Sequence, residues 1–350
     1  MEIVFVIPGD NRSGGVRVTV YMANQLLALG HNVRLAIPKN QISLKLVKNF
    51  IKNELVKNFS KKRTGWIYMF KGKIEYFKNI NEIYFGNNEI VIAVGTFAIS
   101  YVYDIKKDVK KIRYNHGILT KMSEKENNAW KIKMPTITVS KTIIPDLERL
   151  TRQKVLDVIP NGISTSEYYV LHDIIKNGIG SVYSEDPVKG PELLISILKK
   201  IKKRSPLIPI YLFGADKLPK LISAISYVRY PTIQEANKIY NKAKIWLVTS
   251  HSEGFPGPIL EAMACGCVVI SSDTYGGREL IKNGLNGFLV NKGDVDGFLE
   301  IIEYVIENPD LYDKIRKETA KTVKKYSWKK AAEKMDSFLT GYQEKRNNLL

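Results

Sequence analysis

Short apolar runs alternate with helical stripes along most of this chain. Ile3 to Ile7 is a continuous apolar run, as expected of a strand buried on both faces of a parallel sheet. After Pro8 to Gly15, residues Val16, Val20, Ala23, Leu26 and Leu27 recur at helical spacing, and Gly30 closes the helix. Asn32 to Ile37 supplies the next strand, completing a β-α-β unit. Ile90 to Val94, Lys111 to Asn115, Thr136 to Val139 and Val155 to Ile159 read as further strands, and Ile143 to Leu150 as a helix. Gly65 to Phe77 reads as a hairpin, and Thr120 to Lys133 as a polar linker. Residues 163–173 carry little pattern and mark a domain boundary. A second series follows. It has strands near 174–182, 208–213, 245–248, 268–270 and 288–290, and helices after Gly190, Thr232, Gly277 and Asp294. Two successive βα series predict two Rossmann-like, doubly wound domains facing a cleft. Basic amphipathic helices close the chain, over Leu311 to Lys325 and from Trp328 to Arg346.

One stretch, 41–63, breaks the alternation. Ile42, Leu46, Phe50, Ile51, Leu55 and Phe59 form one apolar stripe, flanked by Lys45, Lys48, Lys52 and Lys57 and followed by Lys61-Lys62-Arg63. A helix of this kind over 42–63 suits an anionic membrane surface. The same pattern also suits a surface helix whose lysines are simply solvated.

Composition adds two limits. The 350 residues carry 54 Lys+Arg against 35 Asp+Glu, a net charge of +19, so an anionic partner is expected: nucleic acid, anionic lipid or a phosphorylated substrate. Biased codon usage would produce the same excess. Met1 to Pro8 lacks a basic leader region and reads as a first strand rather than a signal peptide. Cys265 and Cys267 stand too close together for a disulfide framework, which fits a reducing cytoplasm.

Candidate chemistry centres on His251 to Gly266. This stretch runs from a strand end through a loop rich in glycine and proline into a helix. A helix start offers unpaired N–H groups and partial positive charge to a phosphate. Glu253 and Glu261 bracket the loop, and a carboxylate accepts hydrogen bonds from sugar hydroxyls. Lys189, before another helix, adds a cation suited to phosphate. Gly14 and Gly15 open the first helix, where they serve either close approach of a ligand or a tight turn for packing alone. His116 ends a strand on the side where open α/β sheets bind ligands, although a structural role is the commoner fate of a lone histidine. Asp294-Val295-Asp296 has the form of a metal-binding pair, but Asp294 reads better as a helix cap. Cys265-Gly266-Cys267 reads as helix-end packing.

The spacing of Glu253 and Glu261, with seven residues between, resembles the E-x7-E signature of GT-B retaining glycosyltransferases of family 4. So do Gly14-Gly15-Val16, Val158 to Ile163, Lys189-Gly190, Gly276 to Ile281, Asn283 to Gly287 and Tyr326-Ser327-Trp328. The likeness is dense over 155–340 and thin over 40–110. It implies an acceptor-binding domain over 1–165, a nucleotide-sugar domain over 166–327, and a helix over 328–350 crossing back to the first. It implies that Glu261 takes the ribose and Glu253 the donor sugar. The loop residues Gly254, Phe255, Pro256, Gly257, Pro258 and Ile259 would hold the sugar and diphosphate, through backbone N–H groups in the run from Phe255 to Ile259. Lys189 would neutralise the leaving diphosphate, in place of a metal. Gly14, Gly15 and His116 would approach from the N-terminal side, with His116, Glu253 and Lys189 nearest the chemistry. The family commonly carries an arginine between the glycine at 180 and Lys189. None stands there, so Tyr183 or Ser184 would have to compensate.

The expected activity is sugar transfer from a UDP or GDP sugar to a glycan or lipid-linked hydroxyl, with no cofactor and no metal. The protein would be cytoplasmic, and peripheral at the inner membrane face if the 42–63 helix binds lipid. The alternatives are a non-catalytic nucleotide or polyanion binder on the same scaffold, and an enzyme acting on nucleic acid. The latter ranks last for want of an interleaved aromatic and basic groove.

Overall fold

A computed structural model describes residues 1–10, 13–39, 65–118, 123–219 and 225–347. The expected basic helix over 42–63 lies outside them. The chain divides into two compact units, Met1–Gly162 with Trp328–Leu350, and Ile163–Ser327. The first unit thus ends at Gly162, slightly before the expected 165.

The first unit is built on β1 (Glu2–Val6), β2 (Asn32–Pro38), β3 (Lys73–Phe77), β4 (Ile90–Val94), β5 (Lys110–Asn115), β6 (Thr136–Thr138) and β7 (Val155–Val158). They form one parallel sheet in the order β3-β2-β1-β4-β5-β6-β7, with Ile3 opposite Val33 on one side and Ile90 on the other. Ile3 to Ile7 and Ile90 to Val94 are buried because both faces of a central parallel strand are covered. Helix α1 (Gly14–Ala28) starts at Ser13, whose Oγ accepts from the Val16 N–H, and buries Val16, Val20, Ala23 and Leu26. Helices α2 (Thr96–Tyr103), α3 (Glu124–Lys131) and α4 (Ile144–Thr151) follow.

Two expectations fail in this unit. Gly65 to Phe77 is not a hairpin: Trp66–Met69 is a 3₁₀ turn, and β3 joins β2 in parallel. The expected linker over 120–133 contains α3. Ser123 and Glu126 form a reciprocal capping box, and Ala129 and Trp130 are buried.

The second unit carries β8 (Gly178–Tyr183), β9 (Ile210–Gly214), β10 (Ser226–Arg229), β11 (Ala243–Val248), β12 (Val268–Ser272) and β13 (Phe288–Val290). They form a parallel sheet in the order β10-β9-β8-β11-β12-β13. Its helices are α5 (Pro191–Arg204), α6 (Ile233–Lys242), α7 (Gly257–Ala264), α8 (Tyr275–Leu280), α9 (Val295–Glu307) and α10 (Pro309–Val323). Leu194, Ile197 and Leu198 of α5 and Phe298 and Ile302 of α9 pack with Ile245, Leu247, Val268 and Ile270 of the sheet. Each such side chain contributes about 1.5–3 kcal/mol on burial. Helix α8 starts at Tyr275 rather than after Gly277, because Thr274 caps it. Asp294 caps α9 through the Gly297 N–H, and Asp296 pairs with Lys200, so the Asp-x-Asp is structural. Cys265 and Cys267 are buried, their thiols donating to Asn237 Oδ1 and to the carbonyls of Tyr240 and Ala243.

The final helix, α11 (Trp328–Asn347), belongs to the first unit. The Trp328 ring stacks on Tyr21 of α1 at 5.2 Å, Lys334 reaches Asp157 at 3.1 Å, and Lys110 Nζ donates to the Gln343 carbonyl. Among the described residues no helix is long and apolar enough to cross a membrane.

Candidate active site

In the second sheet the strand order reverses between β8 and β11, and the loops leaving these strands run side by side there. Such switch points are where open α/β sheets receive ligands. The loop after β8 ends in Lys189-Gly190 and the loop after β11 holds Glu253. They are joined by His251 N–H to the Val188 carbonyl at 2.8 Å, and by Thr249 Oγ1 to the Lys189 carbonyl at 3.1 Å. Gly190 makes the approach feasible: its φ is +64°, and a Cβ there would lie 2.2 Å from the Thr249 oxygen.

Lys189 Nζ donates to Glu253 Oε1 at 2.7 Å, and Ser250 Oγ donates to the same oxygen at 2.8 Å. Loss of hydration pulls the ammonium's pKa down. The charge and hydrogen bond of Glu253, helped by Asp186, outweigh this, and the net shift is upward. The Glu253 carbonyl accepts from the Gly276 N–H at 2.8 Å. Gly276 must be glycine because a Cβ there would meet Pro256 at 2.2 Å, so the start of α8 seats against the loop. Arg278, bidentate to Asp273, braces that start and holds the Asp273 carboxyl below the usual carboxylate range.

Glu261, on α7, is buried, and its Oε2 accepts from the Tyr240 hydroxyl at 2.8 Å. The Phe255 ring is buried and meets Tyr326 edge-on. The loop offers fewer donors than expected. Pro256 and Pro258 have no N–H, and Ile259 gives its N–H to the Pro256 carbonyl. The N–H groups of Phe255 and Gly257 have no partner among the described residues. Tyr183 and Ser184 also depart from expectation. The Tyr183 ring is buried in the core, edge-on to Tyr227, and the Ser184 hydroxyl is bound to Asp216.

The remaining candidates lie in the first unit, whose strand order reverses between β1 and β4. Gly14 and Gly15 open α1, and among the described residues a Cβ added to either would meet nothing within 4 Å. Neither has a positive φ, so the protein's own packing and backbone do not require glycine there. His116 follows β5. Its ring meets Tyr114 edge-on at 4.4 Å, and its Nε2 is buried with no partner among the described residues. Burial lowers its pKa to about 4, which keeps the ring neutral near pH 7.

Residues 176–322, within the second unit, match the family described as glycosyl transferases group 1. An uncharacterized glycosyltransferase of Methanocaldococcus jannaschii is 30% identical over 203 residues, 55% of this chain and 56% of that protein. Sucrose-phosphate synthase from Thermosynechococcus elongatus superposes with a TM-score of 0.73 at 15% identity, over 98% of this chain and 99% of that one. Anabaena HepE, solved in complex with UDP and glucose, gives a TM-score of 0.74 at 17% identity, over 97% of this chain and 99% of that one. The chain spans about half or less of the length of the curated relatives it matches. The fold is GT-B, and the matched family and the solved structures support a GT-B glycosyltransferase.

Proposed function

We propose that the protein is a retaining, family 4 glycosyltransferase that moves a sugar from a nucleotide-diphosphate sugar to a hydroxyl of a glycan or lipid-linked acceptor. The observation that carries this reading is the Lys189–Glu253 pair at the β8/β11 switch point, on the unit that also holds Glu261. Glu261 takes the ribose hydroxyls, Glu253 the sugar hydroxyls, and the N–H groups of Phe255 and Gly257 the diphosphate. Lys189 stabilises the charge that builds on the leaving diphosphate, so the reaction needs no metal. Lys189 is exposed while Glu253 is largely covered, so the ammonium can be reached from solvent. A diphosphate draws it from Glu253, whose Oε1 keeps the Ser250 hydroxyl, and frees that carboxylate for the sugar. Neutral His116 and the open face of Gly14-Gly15 serve the reacting end of the substrates, and the first unit selects the acceptor.

The UDP seen with HepE makes UDP sugars the first donors to test. A thermal-shift panel of UDP, GDP and ADP sugars identifies the donor, because a ligand that binds the folded state raises its melting temperature. Transfer to lipid-linked and soluble glycan acceptors follows, with the anomer of the product read by NMR. No shift with any donor would reject the assignment, and an inverted anomer would reject retention. A second reading, a non-catalytic binder, draws on the absence of an arginine between 180 and 189. Saturable donor binding without transfer would select it. The same proposal places the protein in the cytoplasm at the inner membrane face through residues 42–63. Flotation with anionic but not neutral liposomes is the result expected.

A further inference from the structure

The contacts that join the two loops converge on His251. Its backbone N–H donates to the Val188 carbonyl at 2.8 Å, which ties residue 251 to the loop that carries Lys189. Its ring lies against the same loop: Nε2 stands 3.5 Å from the position a Cβ of Gly190 would take. The residue is half-buried, so part of it is open to solvent. Other side-chain donors of the two loops are committed. Lys189 and Ser250 meet Glu253, Thr249 meets the Lys189 carbonyl, and Ser184 meets Asp216. The His251 ring has no hydrogen bond or ion pair among the described residues. It is a donor held in place at the site with nothing to donate to.

A diphosphate is a polyanion. Lys189 offers it a single positive charge, already faced by the carboxylates of Glu253 and Asp186. An imidazole adds an N–H without adding a further acid, and with the hydrogen on Nε2 that donor stands at Gly190, next to Lys189. Residue 251 also precedes Glu253, the proposed sugar ligand, by two positions, which sets it towards the sugar end of the diphosphate. We infer that His251 is a second donor to the leaving group, its Nε2–H binding the β-phosphate beside the Lys189 ammonium. This rests on the reading of the site as one for a nucleotide-diphosphate sugar, and goes beyond it by assigning a phosphate ligand. The hydrogen stays on the nitrogen. As the bond from the sugar to the β-phosphate breaks, its electron pair goes to the phosphate oxygen, and a donor already in place there stabilises the growing charge. The same contact favours a nucleoside diphosphate over the monophosphate, which lacks the group it holds.

The test compares UDP with UMP, and GDP with GMP, by calorimetry on the full chain, on His251→Phe and on His251→Gln. Phenylalanine keeps a ring beside Gly190 but carries no donor, whereas glutamine brings an amide N–H to about the place of Nε2. The full chain should bind the diphosphate more tightly than the monophosphate by about tenfold or more. In His251→Phe that ratio should fall by about tenfold, and in His251→Gln most of it should return. Each ratio is taken on one preparation, so a partly unfolded fraction cancels. A ratio unchanged in His251→Phe overturns the inference. So does an equal fall in both variants, which would mark a packing role, and so does a full chain that binds diphosphate and monophosphate alike. Each of these leaves the nucleotide-sugar reading in place. A full chain that binds neither diphosphate overturns that reading and this inference with it.

Discussion

At the β8/β11 switch point, charged and backbone groups answer one another. Lys189 meets Glu253, Ser250 and Gly276 hold Glu253, Thr249 and His251 tie the two loops, and Tyr240 pins Glu261. At the β1/β4 switch point the same topology presents two glycines with open space above them, and beyond it a buried, neutral histidine. The two proposed sites are thus built differently. One unit stores its charges against each other, so its geometry persists without a ligand. The other leaves room above its glycines among the described residues. Glycine therefore means opposite things in the two places: contact at Gly190 and Gly276, clearance at Gly14 and Gly15.

Four experiments break or sharpen this contrast. The largest effect is expected from Lys189→Met, which removes the cation proposed to meet the leaving group. Transfer should slow by about 10²–10³-fold in kcat. Lys189 is itself exposed and Glu253 keeps the Ser250 hydroxyl, so stability should change by only about 1 kcal/mol. A normal kcat would leave the second site without its central charge. Glu261→Ala comes next. A hydrogen bond to a charged group is worth about 1.5–3 kcal/mol, so calorimetry should show nucleotide binding weakened by roughly 10–100-fold.

The third compares the two kinds of glycine. Gly15→Ala should raise stability by up to about 1 kcal/mol, since alanine is the better helix former and nothing crowds it, yet transfer should slow several-fold. Gly190→Ala should cost about 1–3 kcal/mol, since its φ of +64° disfavours any side chain. Equal melting temperatures for the two variants would erase the distinction. The smallest effect belongs to His116. Its folded pKa of about 4 lies below the unfolded 6.5, so the unfolded chain takes up the proton first on acidification. The stability this residue contributes is complete above pH 6.5 and is lost towards pH 4, costing roughly 1 kcal/mol between pH 7 and 5.5. His116→Asn should flatten that part of the profile of Tm against pH.

Central parallel strands were legible in the sequence because burial on both faces demands unbroken apolar runs such as Ile90 to Val94. Edge strand β10, Ser226–Arg229, has exposed ends and no such run, so it left no signal. Helix α3 was legible but overlooked: Ser123-x-x-Glu126 is a capping box, hidden in a segment whose polarity suggested a linker. In the site, Lys189, Glu253 and Glu261 stood out because glycine and proline punctuate the loops that carry them. Tyr183 misled because it ends β8, where its ring turns into the core. Tyr240 was visible only as part of an apolar stripe. A sequence pattern shows that an aromatic is buried, but not what its hydroxyl touches.

The second unit begins and ends at one place: Ile163 bridges Ser327, and the Ile163 N–H donates to the Tyr326 carbonyl at 3.2 Å. The first unit is stitched from sequence on both sides of it, with Trp328 stacked on Tyr21. On the ribosome, every strand and helix of the second unit has emerged before Trp328, whereas the first unit receives its last helix only at the end of synthesis. The first unit, begun earliest, is the last to be completed. A chain released before Trp328 would carry a complete second unit and a first unit whose Tyr21 lacks its stacking partner.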